Sequence, residues 1–528
     1  MIKEDTEISY VPGGSHCSDT QDDCDSSILG AGTTSWWNRK RSRANTILWG
    51  LAIVAGVVIL AACVSVFYTK PNQNESSSSN NSNVDDSLDD NINQNHSNSS
   101  PPTTTTTTPP SITPVPLPVP LPAPLKELTA EPSSTPTLFR PPTYVPGNLS
   151  SLQAGLLLSE GLSARLLATT GNNVEYWDGS ESEIKFHGRP DGGATFPDAR
   201  GESSNSNSNS NPGGWIYTSN SEMATNGQGG VGALTFDADG NLIHYQMVLK
   251  NTTMNCGGGR TPWNTWISCE EVEFTGLIYQ VDPLGFREAQ VTTLGNNGGR
   301  WESFSYDIRD RERPYFFATE DHNKGTVRRF TPATVDWDND PWNMLHGAGA
   351  TDYLMIFPNA TNNGGTFQWT NDLNAAKYNA RSYYPQTEGI DVFGSQMFLV
   401  CKNIRQLFTI NLDDGTYSNR TTISGLFDGK PDAMQRILGD SRDLLYFTEE
   451  GGVDAGVHAR DHLGRFYTIL ESPVYKDETS GLSFSPDGRF LIVAYQENGL
   501  LFQVWRNDGH PFYATHLDVK YHRAESGR

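Results

Sequence analysis

Hydrophobic and polar positions divide the chain into four stretches. Residues 47–68 read ILWGLAIVAGVVILAACVSVFY, uncharged and mostly apolar. At 1.5 Å per residue, a helix of this length crosses the roughly 30 Å hydrocarbon layer of a bilayer. Arg39, Lys40, Arg41 and Arg43 precede it, and Lys70 is the only cation close behind. The positive-inside bias therefore keeps residues 1–46, a polar tail with no periodic pattern, on the cytoplasmic side. A cleaved signal peptide would have a shorter apolar region nearer the start of the chain. The pattern thus predicts a single-pass type II anchor with everything after it extracellular or luminal.

Residues 69–146 are rich in Ser and Asn, then Thr, then Pro in alternation (VPLPVPLPAPL), and 15 of the 31 prolines fall between residues 101 and 146. So few core-forming side chains cannot offset the entropy of folding, and the Pro-rich half favours extended polyproline II. This stretch reads as a disordered stalk whose cleavage would release the folded part. Asn-X-Ser/Thr acceptors at Asn74, Asn80, Asn95, Asn98, Asn148, Asn251, Asn359 and Asn419 all fall on the side the anchor makes extracytoplasmic.

Over residues 147–528 the period changes. Short apolar runs end in turn residues, long helical periods are scarce, and Trp, Tyr, Phe and Gly become frequent. This is the pattern of an all-β domain. A strand followed by an Asp-Gly turn returns as LTFDADGNL (234–242), LFTINLDDGTY (407–417), LSFSPDGRFLIVAY (482–495) and LFQVWRNDGHPFY (501–513), with GLIYQVDPLG (276–285) a looser copy. Asp-Gly supplies the positive φ angles of tight hairpins. Many similar hairpins over this length fit a β-propeller better than one sandwich. The run ESSNSNSNSNPG (202–213) reads as a loop insertion.

Charge narrows the chemistry. The formal net charge is -23 and the only basic cluster lies beside the apolar run. Nucleic-acid binding, which needs clustered Lys and Arg, is excluded, whereas an acidic surface suits divalent cations. No GxSxG, HExxH or Walker A motif occurs, and the histidines lack ligand spacing. The common hydrolase, zinc-protease and nucleotide-binding readings are thereby removed.

The most unusual local sequence is NCGGGRTPWNTWISCEEVE (255–273). It places Cys256 and Cys269 around a Gly run, two Trp residues and the pair Glu270 and Glu271. Thiolate with carboxylate suits iron on the sulfur side and calcium on the oxygen side. A disulfide between Cys256 and Cys269 across a hairpin is equally open in an oxidising compartment. Further carboxylates stand at strand ends beside Gly or aromatic residues: Glu222, Glu302, Glu320, Asp321, Glu388, Glu449, Glu450 and Glu478. A propeller brings equivalent strand ends around one axis, so carboxylates far apart in sequence can converge on a metal.

These segments resemble the PhoX-type alkaline phosphatase family over roughly residues 150–515. NCGGGRTPWNTWISCEE is similar to a family pattern NCxGGxTPWGTWxTCEE, and ETSGLSFSPDGRFLIVAYQENG (478–499) to ExTGxxFSPDGxTLFVNxQHPG. TSNSE, GGRWE, TEDHNKGTVRRFTP, TEGI and GKPD (with Asp432) support it in order along the chain. The resemblance implies a six-bladed propeller with an iron and calcium cluster that hydrolyses small phosphomonoesters. It implies Cys269 as an iron ligand with a part in catalysis, Glu302 and Glu388 as metal ligands, and Glu270 and Glu478 as calcium-side carboxylates.

Gln386, Ala494, Glu497 and Asn498 stand where the family has an Arg, an Asn and a His-Pro around the substrate phosphate. Loss of a guanidinium removes a charged contact worth about 1.5 to 3 kcal/mol. Arg260 is the first candidate for a replacement catalytic cation, followed by Arg328, Arg329 and Arg405. Two other readings compete with the phosphatase: a PhoX-like propeller with weak or no turnover, serving as a calcium-containing cell-surface binding module, and a lactonase-like propeller needing calcium but no iron.

Overall fold

A computed structural model describes residues 149–202, 211–436, 444–461, 463–512 and 522–523. Six antiparallel quartets of strands follow one another in it. Their innermost strands are β1 (Pro190–Pro197), β2 (Asn255–Arg260), β3 (Gly299–Asp307), β4 (Thr387–Phe393), β5 (Lys430–Gln435) and β6 (Thr479–Phe484). Each pairs outward through the strands that follow it in sequence, so connections stay short and local. In the last quartet the outermost position is taken by Leu162–Thr169 from the opposite end of the domain, antiparallel to Leu500–Arg506. The inner strands touch in the cyclic order β1, β2, β3, β4, β5, β6 and back to β1. The fold is all-β and propeller-like.

Burial follows this ring. Six apolar clusters form, one between each pair of neighbouring quartets. Trp263, Ile267, Trp301 and Phe316 join the second quartet to the third, and Tyr446, Val457, Leu491 and Val493 join the fifth to the sixth. Strand alternation sends one side chain to each flank, which is why the strands read as nearly continuous apolar runs rather than as half-polar ones. One helix, Leu373–Tyr383, packs on Gly349–Pro358, with Asp372 capping its start through the Ala375 amide at 3.0 Å.

The Asp-Gly hairpins do not occupy one repeated junction. Those at residues 237–241 and 412–415 lead from the third to the fourth strand of a quartet, whereas that at 485–489 leads from the first to the second. The turn chemistry was therefore legible, but its phase within a quartet was not. Among the described residues no helix is long and apolar enough to cross a membrane. The predicted span 47–68, the tail before it and the stalk to residue 146 lie outside the described residues.

A second regularity governs the axis. Every inner strand carries a register shift near its start, between Pro190 and Gly193, Asn255 and Gly258, Trp301 and Phe304, Thr387 and Ile390, Pro431 and Met434, and Ser480 and Ser483. Two residues thus oppose one on the neighbouring strand, a β-bulge that bends the strand and re-aims its side chains. The second bulge residue is often Gly because the next inner strand presses on it. A Cβ on Gly257 would lie 2.3 Å from the Glu302 carbonyl oxygen, and one on Gly192 2.7 Å from that of Cys256. These contacts are to backbone, which cannot swing aside. Gly257→Ala is expected to cost about 1 to 3 kcal/mol through overpacking, read as a lower midpoint in denaturant unfolding.

Candidate metal centre

The bulges decide which side chains meet at the axis. The first bulge residue of β1 to β6 is Asp191, Cys256, Glu302, Glu388, Asp432 and Gly481 in turn, so five of six equivalent positions carry a metal-ligating side chain. Glu222 and Glu271 join them from just after or at the end of second strands. Ligand atoms lie within 4.8 Å of one another in three overlapping groups: Asp191, Glu222 and Cys256; Cys256, Glu271 and Glu302; Glu302, Glu388 and Asp432. Shared Cys256 and Glu302 make the three groups one continuous cluster.

Its electrostatics are those of a basin for cations. Glu302 is held well above the ordinary carboxylate range by burial, then by Glu388 and Asp432. Glu388 is raised by burial despite Lys402, and Glu478 by burial and then by Asp432 and Asp191. Burial pushes Asp432 to about 6 and Glu271 to about 7, and it raises the Cys256 thiol, with Asp191 and Glu302 adding to the effect. Glu302 Oε2 and Glu388 Oε2 have no hydrogen-bond partner although fully enclosed, and Glu388 Oε1 meets only the Lys402 ammonium at 2.8 Å. Buried polar atoms in native proteins are otherwise nearly always satisfied. A thiol beside Glu271 and Glu302 suits iron, and the all-carboxylate group Glu302, Glu388 and Asp432 suits calcium. The residues present fit such ions.

The predicted site residues are thus partly brought together and partly dispersed. Glu302 and Glu388 lie in the cluster, and Glu478, half-buried at the start of β6, faces Asp432 and Asp191 at its edge. Cys269 does not join them. It stands opposite the Cys256–Gly257 bulge, between the paired residues Ser268 and Glu270, with its side chain in the apolar cluster of Trp263, Ile267, Ile278 and Trp301. Cys256 is the thiol among the carboxylates, and Cys256, Cys269 and Cys401 are all free, which corrects the disulfide alternative as well. Glu270 is likewise replaced by its neighbour: its oxygens accept from the Thr253 and Leu277 amides at 2.8 and 2.9 Å, tying loops together.

Arg260 lies at the far end of β2, four residues or about 13 Å of strand from Cys256. There it donates to the Thr195 carbonyl oxygen at 3.0 Å, stacks on Phe196 and lines a cavity of about 190 Å³ with Gly192, Gly258 and Asp391. Arg328 and Arg329 are engaged elsewhere, the first with the Asn296 carbonyl and the Trp301 ring, the second with Asp352, and Arg405 donates to the Asp428 carbonyl. The cations beside the cluster are others. Arg189 pairs with Glu222 at 2.7 Å and with Glu497, Arg300 pairs with Glu271, and Lys402 reaches Glu388, Asp321 and Glu450. Burial disfavours the Lys402 ammonium, but these carboxylates, Glu388 first, raise its pKa on balance.

Sequence reasoning missed Asp191 and Lys402, and it named Cys256 and Glu271 in the motif without choosing them as ligands. One signal was available: an acid or Cys followed by a small residue opens inner strands as PDGG, NCGG, WESF, TEGI and PDAM. The resemblance carried the ligand role onto Cys269, and nothing local shows that the bulge at Cys256–Gly257 turns Cys256 to the axis.

An all-β propeller-like protein with a thiol and carboxylate cluster on its axis is the class that this arrangement defines. The model of the family "Alkaline phosphatase PhoX" matches residues 204–307, which hold Glu222, Cys256, Glu271 and Glu302. PhoX of Pseudomonas fluorescens in complex with vanadate, a transition state analogue, superposes with a TM-score of 0.54 at 13% identity, covering 71% of this chain and 100% of that one. A candidate 6-phosphogluconolactonase of Bacteroides uniformis gives a TM-score of 0.37 at 12% identity, covering 70% of this chain and 97% of its own. No curated protein matches the sequence. The family match and the fold of the Pseudomonas structure support a PhoX-like family for this chain.

Two replacements separate the thiols. For a metal held in this cluster, Cys256→Ser is expected to weaken binding at least about 100-fold, more than the usual loss of an outer-shell partner. Cys269→Ser should keep the metal and lose about 1 to 3 kcal/mol of stability for burying a hydroxyl. Elemental analysis and denaturant unfolding of both variants check this pair.

Proposed function

We propose that the chain is a metal-dependent phosphatase that hydrolyses small phosphomonoesters at an iron and calcium cluster on the axis of a six-bladed propeller. The carrying observation is the convergence of Asp191, Cys256, Glu302, Glu388 and Asp432 at equivalent bulges, with Glu302 Oε2 and Glu388 Oε2 buried without a hydrogen-bond partner. Cys256 with Glu271 and Glu302 would hold iron, and Glu302, Glu388 and Asp432 would hold calcium. Such ions, when bound, neutralise phosphate oxygens and stabilise the added negative charge of the transition state. The PhoX family match supports this reading of the cluster.

The protein's own side chains set up part of the rest: Arg189 and Arg300 hold Glu222 and Glu271 in place, and Gln496 donates to Asp191 Oδ2 at 2.9 Å, so these three carboxylates are each tied to a neighbour. Ala494 is fully buried in an apolar cluster, and Glu497 neutralises Arg189 from the solvent side. With Gln386 these positions leave the phosphate few direct cationic contacts, so binding would depend on the cluster itself. The apolar segment 47–68 supports an extracytoplasmic location, anchored in the membrane by one helix and carrying glycans at exposed sites such as Asn251 and Asn359.

The full-length protein in detergent would be analysed for iron and calcium and assayed with a generic phosphomonoester at alkaline pH. Bound iron with turnover that disappears in Cys256→Ser is the expected result. Metal without turnover would instead make the chain a calcium-containing binding module, and absence of iron would remove the mechanism. A pH series adds a second check. Protons on Glu302, Glu388 and Asp432 must leave for calcium to bind among them, so calcium affinity should climb as pH rises through about 6, to which burial pushes Asp432, and go on rising above it because burial also raises Glu302 and Glu388. Calcium titrations across that range measure it, and a flat profile would contradict the assignment of these ligands.

A further inference from the structure

Lys402 stands apart from the other cations near the cluster. It follows the second strand of the fourth quartet, Gln396–Cys401, and its amide donates to the Gln386 carbonyl at 3.1 Å, while its own carbonyl accepts from Arg405 at 3.2 Å. That turn fixes the backbone, and the side chain reaches Glu388. The ammonium lies 2.8 Å from Glu388 Oε1, 3.0 Å from Asp321 Oδ2 and 3.3 Å from Glu450 Oε2, with 19% of the side chain exposed. An ammonium has three donors, and here three carboxylates surround it.

One of those carboxylates belongs to the cluster. Glu388 is grouped with Glu302 and Asp432, and calcium would need its oxygens at about 2.3 to 2.6 Å. An ammonium on the same oxygen would then sit within a few ångströms of a divalent charge, where repulsion is strong in a dry interior. The other two partners offer a retreat. Asp321 Oδ1 has no hydrogen bond, and Glu450, 30% exposed, already bridges to Lys430 at 2.7 Å on the solvent side.

We propose that Lys402 is a tethered competitor for the cation position formed by Glu302, Glu388 and Asp432. Its ammonium holds Glu388, and a divalent cation enters by displacing it toward Asp321 and Glu450. Lys402 thereby limits cation affinity and prevents unopposed repulsion among the buried carboxylates. The inference rests on reading that group as a cation position, and it does not require phosphatase turnover.

The test uses the full-length protein in detergent, stripped with a chelator and titrated with calcium alone. Lys402→Met is expected to bind calcium about tenfold more tightly through loss of a nearby positive charge, whereas Lys402→Arg should stay close to the parent. In the unsubstituted protein, labelling of Lys402 by an amine-directed reagent, followed by mass spectrometry, should rise with calcium, and this readout decides the matter if Lys402→Met does not fold. Calcium affinity unchanged or weakened in Lys402→Met, or labelling that stays level or falls, would overturn the proposal. Absence of calcium from both proteins would overturn it together with the calcium reading, and iron retained in the same samples would show that the Cys256 side of the cluster survives.

Discussion

Close approach of six inner strands around one axis is the constraint from which the rest of the structure follows. Strands that crowd so tightly cannot all carry side chains toward their neighbours, and Gly192, Gly257 and Gly389 stand where a Cβ would strike the backbone of the next strand. The same crowding is relieved by a bulge in every inner strand, and each bulge turns its first residue to one end of the axis. Packing at the centre and convergence of ligands are therefore one geometric event. The apolar clusters between quartets hold the strands at that spacing, so the core and the centre cannot be varied independently.

That arrangement carries an electrostatic cost. Burial first, and then repulsion from neighbouring carboxylates, displaces Glu302, Glu388 and Glu478 upward together. The protein offsets part of it with cations at the edge: Arg189 on Glu222, Arg300 on Glu271 and Lys402 on Glu388. Glu302 Oε2 and Glu388 Oε2 are left without a hydrogen-bond partner. Stability and cation binding thus draw on the same residues, as expected where a site is assembled from groups that would destabilise the fold without a counter-charge.

Much of this was legible in the chain. Short apolar runs ending in Asp-Gly marked hairpins, and their number over residues 147–528 pointed to a propeller-like ring. The motif around residues 255–273 holds two members of the cluster, and Glu302 and Glu388, which local context only grouped with other strand-end carboxylates, were singled out by the resemblance. The errors share one cause. Cys269 and Glu270 were favoured over Cys256 and Glu271, in each case the wrong member of a pair within a single motif. The ligand roles were carried over from a resemblance between motifs, and a motif places neighbours at one spot without showing which of their side chains face the axis; the bulge at Cys256–Gly257 decides that for the thiol. Arg260 failed for a related reason: closeness in sequence to the motif conceals the length of strand that carries it to the other end of the axis.

By itself the sequence determined the class of structure over residues 147–528, because it depends on local chemistry: strands punctuated by tight turns. It also determined which residue types were available for a metal. Only the tertiary structure decided which of them meet. Asp191 and Glu388 are nearly two hundred residues apart, and no local rule relates them. Closure of the ring by Leu162–Thr169 against Leu500–Arg506 and the shared bulge in each inner strand bring them to one end of the axis. The pairing of Lys402 with Glu388 is of the same kind, since it depends on where a turn of the neighbouring strand places an ammonium in three dimensions.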